Sequence, residues 1–381
     1  MGAVNSHQSV IGQWLHRCNR CGTCKYIFRN YEPSCPSGEY YKLETYFASG
    51  RIAVARGLAV GDIHWQQSML KPVFACTTCG SCQTQCMAPH REHIVDIIEE
   101  LRGLAVDKLG PLPAHHDLAE SIISKHNPYN ATHHSRQIAE QLHLPAKADT
   151  ILFMGCTANY RETSIRDATI SILRKAGIDF TIVDEYCCGS PLLRVGQKAA
   201  ARNVAEHNLH VIEMAGAERV VTPCAGCYRT LSKDYKNLGT DLGMEVIHSS
   251  QLADELLNGG KLKPKARGAI GRVTYHDPCH LGRHMGVYEE PRETLAALPV
   301  GFVEMQSNRN NAWCCGAGGG VKSSFPELAQ ATASMRLEQA RSTDADVLVS
   351  TCPFCKRNLS DANRGHIDRV LDLVELVDEM T

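Results

Sequence analysis

Eighteen cysteines stand among 381 residues, and their spacing is the first chemical signal. The N-terminal set reads Cys18-x2-Cys21-x2-Cys24 with Cys35 beyond it, then Cys76-x2-Cys79-x2-Cys82-x3-Cys86. A C-x2-C-x2-C run wraps three thiolates around one face of a cubane iron–sulfur cluster, and in two-cluster ferredoxins the outlying cysteine ligates the other cluster. Two such runs imply two cubane [4Fe–4S] clusters, one on Cys18, Cys21, Cys24 and Cys86, the other on Cys76, Cys79, Cys82 and Cys35. Zinc pairs C-x2-C knuckles into closed fours, and the third cysteine in both runs makes it the lesser reading. The runs depart from the compact bacterial pattern, since ten residues separate Cys24 from Cys35 and Met87 follows Cys86 in place of proline. Cross-ligation is expected, with the exact fourth ligands left open.

The other ten cysteines repeat. Cys156, Cys187-Cys188 and Cys224-x2-Cys227 recur as Cys279, Cys314-Cys315 and Cys352-x2-Cys355, at offsets of 123, 127, 127, 128 and 128 residues. Near-constant offsets over five matched positions mark an internal duplication. Each copy offers five thiolates, one more than a cubane or a closed zinc site takes. Adjacent cysteines diverge, so both can serve one site only by binding different metal atoms or by distorting it. Five ligands of this kind suggest an open, multi-iron, redox-active centre. Gly189 and Gly316 follow the paired cysteines and are read as cofactor-binding, because glycine lets backbone N–H groups approach thiolate and sulfide closely. The run Gly316-Ala-Gly-Gly-Gly320 lacks the G-x-x-x-x-G-K-[ST] pattern of a phosphate loop. His276, His280 and His284 flank Cys279. They have the near-neutral pKa of a proton donor, yet histidines beside ligands more often fix loop geometry. Asp277-Pro278 reads as turn chemistry.

The elements that must hold these residues fall into two classes. Tyr40 to Val60, and Ile94 to Leu101 with apolar residues at i, i+3, i+4 and i+7, read as amphipathic helices. From Ile151 the chain turns α/β: strands at 151–156, 180–184 and 219–224, helices at 162–175 and 197–214, then strands at 273–279 and 346–352 around a helix at 326–341. The cysteines end the strands, where open α/β sheets place their sites. Between lies a proline-containing stretch with short helices at 118–123 and 138–142, in which His115-His116 and His133-His134 read as surface residues, because sequence neighbours point to different sides. The expected fold is mixed α+β and α/β: a helical ferredoxin domain at 1–105, a connector at 106–149, and duplicated α/β domains at 150–268 and 269–381.

Composition narrows the partners. Lys plus Arg number 40 against 41 Asp plus Glu, leaving no basic excess for nucleic acid. No run approaches the ~18 apolar residues of a membrane span. The first residues carry no secretion signal, so a cytoplasmic, reducing compartment is expected, where clustered cysteines are metal ligands rather than disulfides. Met1-Gly2 with Ser6 fits the short myristoylation pattern, which is set aside.

Helices inserted between the two cluster loops resemble the α-helical ferredoxin domains of fumarate-reductase-type iron–sulfur subunits. The five-cysteine motif resembles the CCG domain of heterodisulfide reductases, and a ferredoxin domain followed by two CCG domains is similar to their D subunit, or to a fusion of their C and B subunits. The resemblance implies a noncubane [4Fe–4S] cluster on Cys156, Cys187, Cys188, Cys224 and Cys227 and another on Cys279, Cys314, Cys315, Cys352 and Cys355. These ten would form the catalytic set, cleaving a disulfide of the CoM-S-S-CoB type or a similar acceptor. No flavin or nicotinamide fingerprint appears, so electrons are expected from a partner such as a flavin subunit or a b-type cytochrome, and membrane contact only through that partner. The other function in view is an electron relay resembling the CCG subunits of glycolate, lactate or glycerol-3-phosphate dehydrogenases or of benzoyl-CoA reductase complexes; a zinc scaffold is the third.

Overall fold

The computed structural model describes residues 10–28, 30–265 and 270–381. The Met1-Gly2…Ser6 pattern and the expected 268/269 boundary lie outside the described residues.

The N-terminal part is helical and holds its own core, in which Leu15, Ile52, Phe74, Ile94, Ile98 and Leu101 meet. The helix expected over Tyr40 to Val60 is in fact broken into Pro36–Tyr41, a 3-10 turn at Glu44–Tyr46 and the helix Ala48–Val60. Lys42 stops the first piece in the left-handed region, φ 56°. Gly50 then lets the second helix approach the turn, where a Cβ would lie 2.0 Å from the Glu44 carbonyl oxygen. The helix Ile94–Leu109 runs across residue 105, and Pro113–Lys125 follows it.

The rest is two sheets of identical topology. Strands β1 (Thr150–Leu152), β2 (Phe180–Thr181), β3 (Arg219–Thr222) and β4 (Glu245–His248) are parallel in the order β2-β1-β3-β4. Strands β5 (Arg272–His276), β6 (Gly301–Val303), β7 (Val347–Ser350) and β8 (Arg369–Asp372) repeat this as β6-β5-β7-β8. The sequence pattern marks three strands of the first sheet and two of the second. The others, β4, β6 and β8, are edge strands whose outer residues are partly exposed, so they lack the apolar run that flags a buried parallel strand. The ends of β4 and β8 start helices through matched capping boxes, His248 with Gln251 and Asp372 with Glu375.

The two copies are not separate bodies. Helix Thr163–Lys175 presents Ile165, Ala168, Ile172 and Leu173 on one face and packs against Leu373–Met380 of the other copy, while Ser249–Asn258 packs against Glu290–Ala297. Leu252, Leu256, Tyr275, Leu376 and Val377 share one apolar core with them. This crossed packing turns the strand ends, and thus the cysteines, of the two sheets toward each other.

Candidate metal centres

Cys18, Cys21, Cys24 and Cys86 line one small cavity of about 20 Å³, with Ala48, Ile52 and Ile94 behind them. Gly22 turns the loop in the left-handed region, φ 84°, and the Cys24 carbonyl accepts from Ser34 Oγ at 2.7 Å. Burial pushes the Cys24 thiol up to about 11. Burial likewise raises Cys82, which feels Cys76 and Cys79 and then Cys24 and Cys35, and Cys35, which feels Cys76 and is eased by the Arg51 guanidinium. The structure therefore brings Cys86 to the first run and Cys35 to the second. Arg51, itself buried, holds the second site's walls by donating to the carbonyls of Tyr46 (2.6 Å) and Pro72 (2.7 Å) and to Ser37 Oγ (2.9 Å).

The ten remaining cysteines form a connected set between the sheets. Cys187 bonds toward Cys156 while Cys188 turns to Cys227, and Cys314 meets Cys279 while Cys315 meets Cys355. The adjacent thiols also bond each other, Cys187 to Cys188 and Cys314 to Cys315, so they do not diverge as the sequence suggests, and the five thiols of each copy form one connected chain. Cys224 and Cys352 touch across the duplication. A cavity of about 330 Å³ opens on nine of the ten, with Cys314 lying behind it, and is also lined by His280, Tyr129 and Gly318, Gly319 and Gly320. Hydrogen bonding to neighbouring thiols and burial raise Cys187, Cys227 and Cys355 far above an ordinary thiol. Bonds from neighbouring thiols hold Cys224 and Cys315 well below it instead, and a set of buried soft donors this dense can become fully thiolate only with cations among it, which is the donor chemistry of iron–sulfur sites.

Gly189 and Gly316 are matched in detail. Both are left-handed, φ 85° and 88°, and a Cβ at either would press on a long helix further along the copy, on Val204 and Ala201 of Lys198–Ala215 in one and on Thr332 and Ala329 of Pro326–Arg341 in the other. The Gly316 N–H lies 3.3 Å from Cys314 Sγ, and the Gly189 N–H likewise bonds Cys187.

The three histidines part company. His284 Nε2 sits 2.9 Å from the Thr78 carbonyl oxygen and fixes the Cys76–Cys82 loop. His276 is held by Arg336. Burial, then Arg229 and Arg194, hold His280 well below the usual imidazole range. His115, expected at the surface, is instead fully buried, with Nε2 2.9 Å from the Gly320 carbonyl oxygen; its helix packs its face onto the glycine loop, while His116 points out.

Sequence reasoning missed the side chains that join these centres. Arg102 is fully buried and donates to five carbonyls: Val73, Phe74, Cys76, Arg194 and Gly319. It stands on the apolar stripe of its helix, four residues after Ile98, and that misplaced charge was the available signal. Arg194 and Arg229 meet Glu99 and Asp234 in a second buried network. Glu185, raised to about 8 by burial, accepts from the Met154 and Gly155 N–H groups beside Cys188.

The Cys76–Cys86 run also abuts the second copy directly. Cys79 bonds Cys314, Arg283 Nε donates to the Cys79 carbonyl at 2.7 Å, and a Cβ at Gly319 would lie 2.3 Å from the Cys76 carbonyl oxygen.

Family comparisons agree with this architecture. A 4Fe-4S dicluster domain matches residues 14–89, and a cysteine-rich (CCG) domain matches 150–232 and again 273–360. These define an iron–sulfur protein of the oxidoreductase class. The D subunit of the dihydromethanophenazine:CoB–CoM heterodisulfide reductase of Methanosarcina acetivorans is 38% identical, over 91% of this chain and 88% of that one. Its counterpart in Methanosarcina mazei is 37% identical, over 96% and 93%. The chain belongs to the family of heterodisulfide reductase D subunits. The B subunit of the fumarate reductase (CoM/CoB) of Methanothermobacter marburgensis is 35% identical, over 80% of this chain and 61% of that one. A hypothetical protein of Helicobacter pylori shares the fold, with a TM-score of 0.56 at 11% identity, over 97% of this chain and 72% of that one. Among the described residues no helix is long and apolar enough to cross a membrane.

Proposed function

We propose that the chain is the disulfide-reducing component of an oxidoreductase complex. Cys18, Cys21, Cys24 and Cys86, and Cys76, Cys79, Cys82 and Cys35, hold two cubane [4Fe–4S] clusters; the two five-cysteine sets hold two noncubane ones. The clusters supply one-electron steps that together carry two electrons. A flavin or cytochrome subunit delivers these electrons, in the cytoplasm, and any membrane contact is made through that partner. The reaction is R–S–S–R′ + 2e⁻ + 2H⁺ → RSH + R′SH, so the sulfur–sulfur bond breaks and each half leaves as a thiol.

The observation that carries this reading is the shared cavity, about 330 Å³ and lined by cysteines of both copies. A disulfide entering it presents one sulfur to each set, and the apolar walls at Leu118, Pro128, Pro191 and Phe354 exclude water around it. Tyr129, its hydroxyl 2.7 Å from Thr157 Oγ1, frames one side.

The test is anaerobic assay of the purified chain with a reduced viologen and a set of mixed disulfides, following dye oxidation and thiol release. Thiol formed at one per electron supports the reading. Iron-loaded protein that oxidises no dye with any disulfide refutes it and leaves the second reading, an electron relay. That alternative draws on the contact of Cys79 with Cys314, which makes one unbroken cysteine path from the ferredoxin domain.

A further inference from the structure

We propose that His276 is a fixed hydrogen-bond donor to Cys315, locked in that role by Arg336, and that it makes the two five-cysteine sets unequal in electron affinity. The inference rests on the iron–sulfur reading above and adds a difference between the copies that their identical cysteine patterns conceal.

His276 ends β5 and is buried, 1% exposed. Arg336, on the helix Pro326–Arg341, is fully buried as well, and its Nε donates to His276 Nδ1 at 3.0 Å. The guanidinium is anchored at its other end, Nη1 donating to the Ser307 carbonyl and to Gln339 Oε1, both at 2.8 Å. A guanidinium has donors and no acceptor. The histidine must therefore offer it the Nδ1 lone pair, which puts the proton of the neutral ring on Nε2.

That choice decides what His276 can do. A ring nitrogen of His276, Cys315 Sγ and Cys355 Sγ all lie within 4.8 Å of one another, and the His276 and Cys315 side chains are paired. With Nδ1 taken by Arg336, the buried Nε2 is left without a geometrically formed hydrogen bond among the described residues, free to donate to sulfur once a cluster fills the site. An Nε2 that carries hydrogen has no lone pair for iron, so the donor set stays at five cysteines. Nor can the ring serve as proton donor to substrate, since it would have to leave as imidazolate. What remains is an N–H aimed at sulfur. Hydrogen bonds to cluster sulfurs draw off negative charge and raise the reduction potential.

The first copy has no equivalent. At the offsets of the duplication, Phe153 stands where His276 stands, and Asn208 where Arg336 stands. Phe153 offers no donor, and Asn208 bonds instead to the Cys187 carbonyl (3.2 Å) and the Tyr235 hydroxyl (3.0 Å). The donor present only at His276 therefore makes the second set, which also touches Cys79, the one that accepts electrons more readily.

The test uses the full, anaerobically iron-loaded chain, titrated with dithionite and mediators and followed by electron paramagnetic resonance. His276→Phe should lower the potential of one of the two CCG centres and leave the other in place. His276→Gln, whose amide can accept from Arg336 and donate to Cys315, should stay near wild type. Electron–nuclear double resonance on wild type labelled with ¹⁵N-histidine should show weak coupling of hydrogen-bond size, a measurement that stands even where the Phe variant does not assemble. Unmoved potentials in His276→Phe, or a nitrogen coupling of iron-ligand size, would overturn the inference. Absence of iron from both five-cysteine sets in the wild type overturns the iron–sulfur reading, and this with it.

Discussion

Replacing Arg102 by leucine removes one side chain that three parts of the chain share. Its guanidinium donates to Val73 (3.2 and 3.1 Å), Phe74 (3.1 Å) and Cys76 (2.6 Å) at the start of the second N-terminal cysteine run, to Arg194 (2.6 Å) in the first copy and to Gly319 (3.0 Å) in the second. A buried acceptor left without its donor costs about 1–3 kcal/mol, so five carbonyls set an upper range of roughly 5–15 kcal/mol. Two effects reduce it. Desolvation of the cation, seen in its pKa being pulled down to about 10 by burial, is relieved on substitution, and water can enter to satisfy part of the carbonyl set. A net loss of about 3–5 kcal/mol is expected, the range for breaking a buried charged network. Arg102→Lys keeps the charge but not the planar fork, and should lose about half as much. The assay is anaerobic guanidinium denaturation, reading far-ultraviolet circular dichroism for the fold and visible absorbance for the clusters. Leucine should move the first transition to markedly lower denaturant, and cluster bleaching should move with it, because the Cys76 and Gly319 carbonyls frame the second cubane loop. A leucine variant within ~1 kcal/mol of wild type, with clusters intact, would refute the claim that this side chain joins the three parts.

Metal analysis of anaerobic protein should find about 16 iron atoms per chain; iron near half of that with tightly bound zinc would sink the noncubane assignment. Cys314→Ser should abolish one CCG signal and also perturb a cubane signal, given its contact with Cys79, whereas Cys156→Ser should leave both cubane spectra unchanged. Cys79→Ala should lose partner-driven disulfide cleavage and keep viologen-driven cleavage; loss of both in a protein that retains its CCG clusters would show the relay order to be wrong. His115, lowered by burial to about 4, folds in its neutral form. Between about 4 and 6.5 the unfolded chain binds more protons than the folded one, so the stability from this group, up to ~3 kcal/mol, is lost as pH falls through that window. His115→Gln should flatten that slope, and a denaturation midpoint with the same pH dependence in both proteins would count against the assignment.

Much of this was legible in the sequence, for reasons that differ by residue. The cysteine sets carry fixed local spacings, and the duplication supplies a second reading of each, so the metal-site candidates follow from counting alone. The helix at 326–341 matches its observed bounds, Pro326–Arg341, because proline opens it and the apolar period is unbroken. The break between Tyr41 and Ala48 was not legible, since it depends on Lys42 taking the left-handed conformation and on glycine packing against a turn that periodicity does not see. Burial of His115 depends on Gly320, 205 residues away, and the role of Arg102 on Gly319, 217 residues away. Local pattern reports which residues are apolar and which could bind metal. It does not report which distant loop a lone polar side chain will meet.

Duplication explains why such distant partners concentrate at the cavity. Two copies of one parallel sheet carry their ligands at the strand ends, and the crossed helix packing turns those ends face to face, so Cys224 and Cys352 touch without any further device. The symmetry then makes the ligand chemistry of the two sets equal by descent. Function on the proposed reading needs them unequal, because electrons reach one first, through Cys79 and Cys314. The differences lie in side chains outside the cysteine pattern: Phe153 against His276 and Asn208 against Arg336. Substitution there changes electron affinity without changing a ligand, so a duplicated fold can keep both open sites while assigning them different tasks. If that reasoning holds, Phe153→His alone should not equalise the copies, because the Asn208 position would still lack the guanidinium that fixes the ring's proton on the nitrogen facing sulfur.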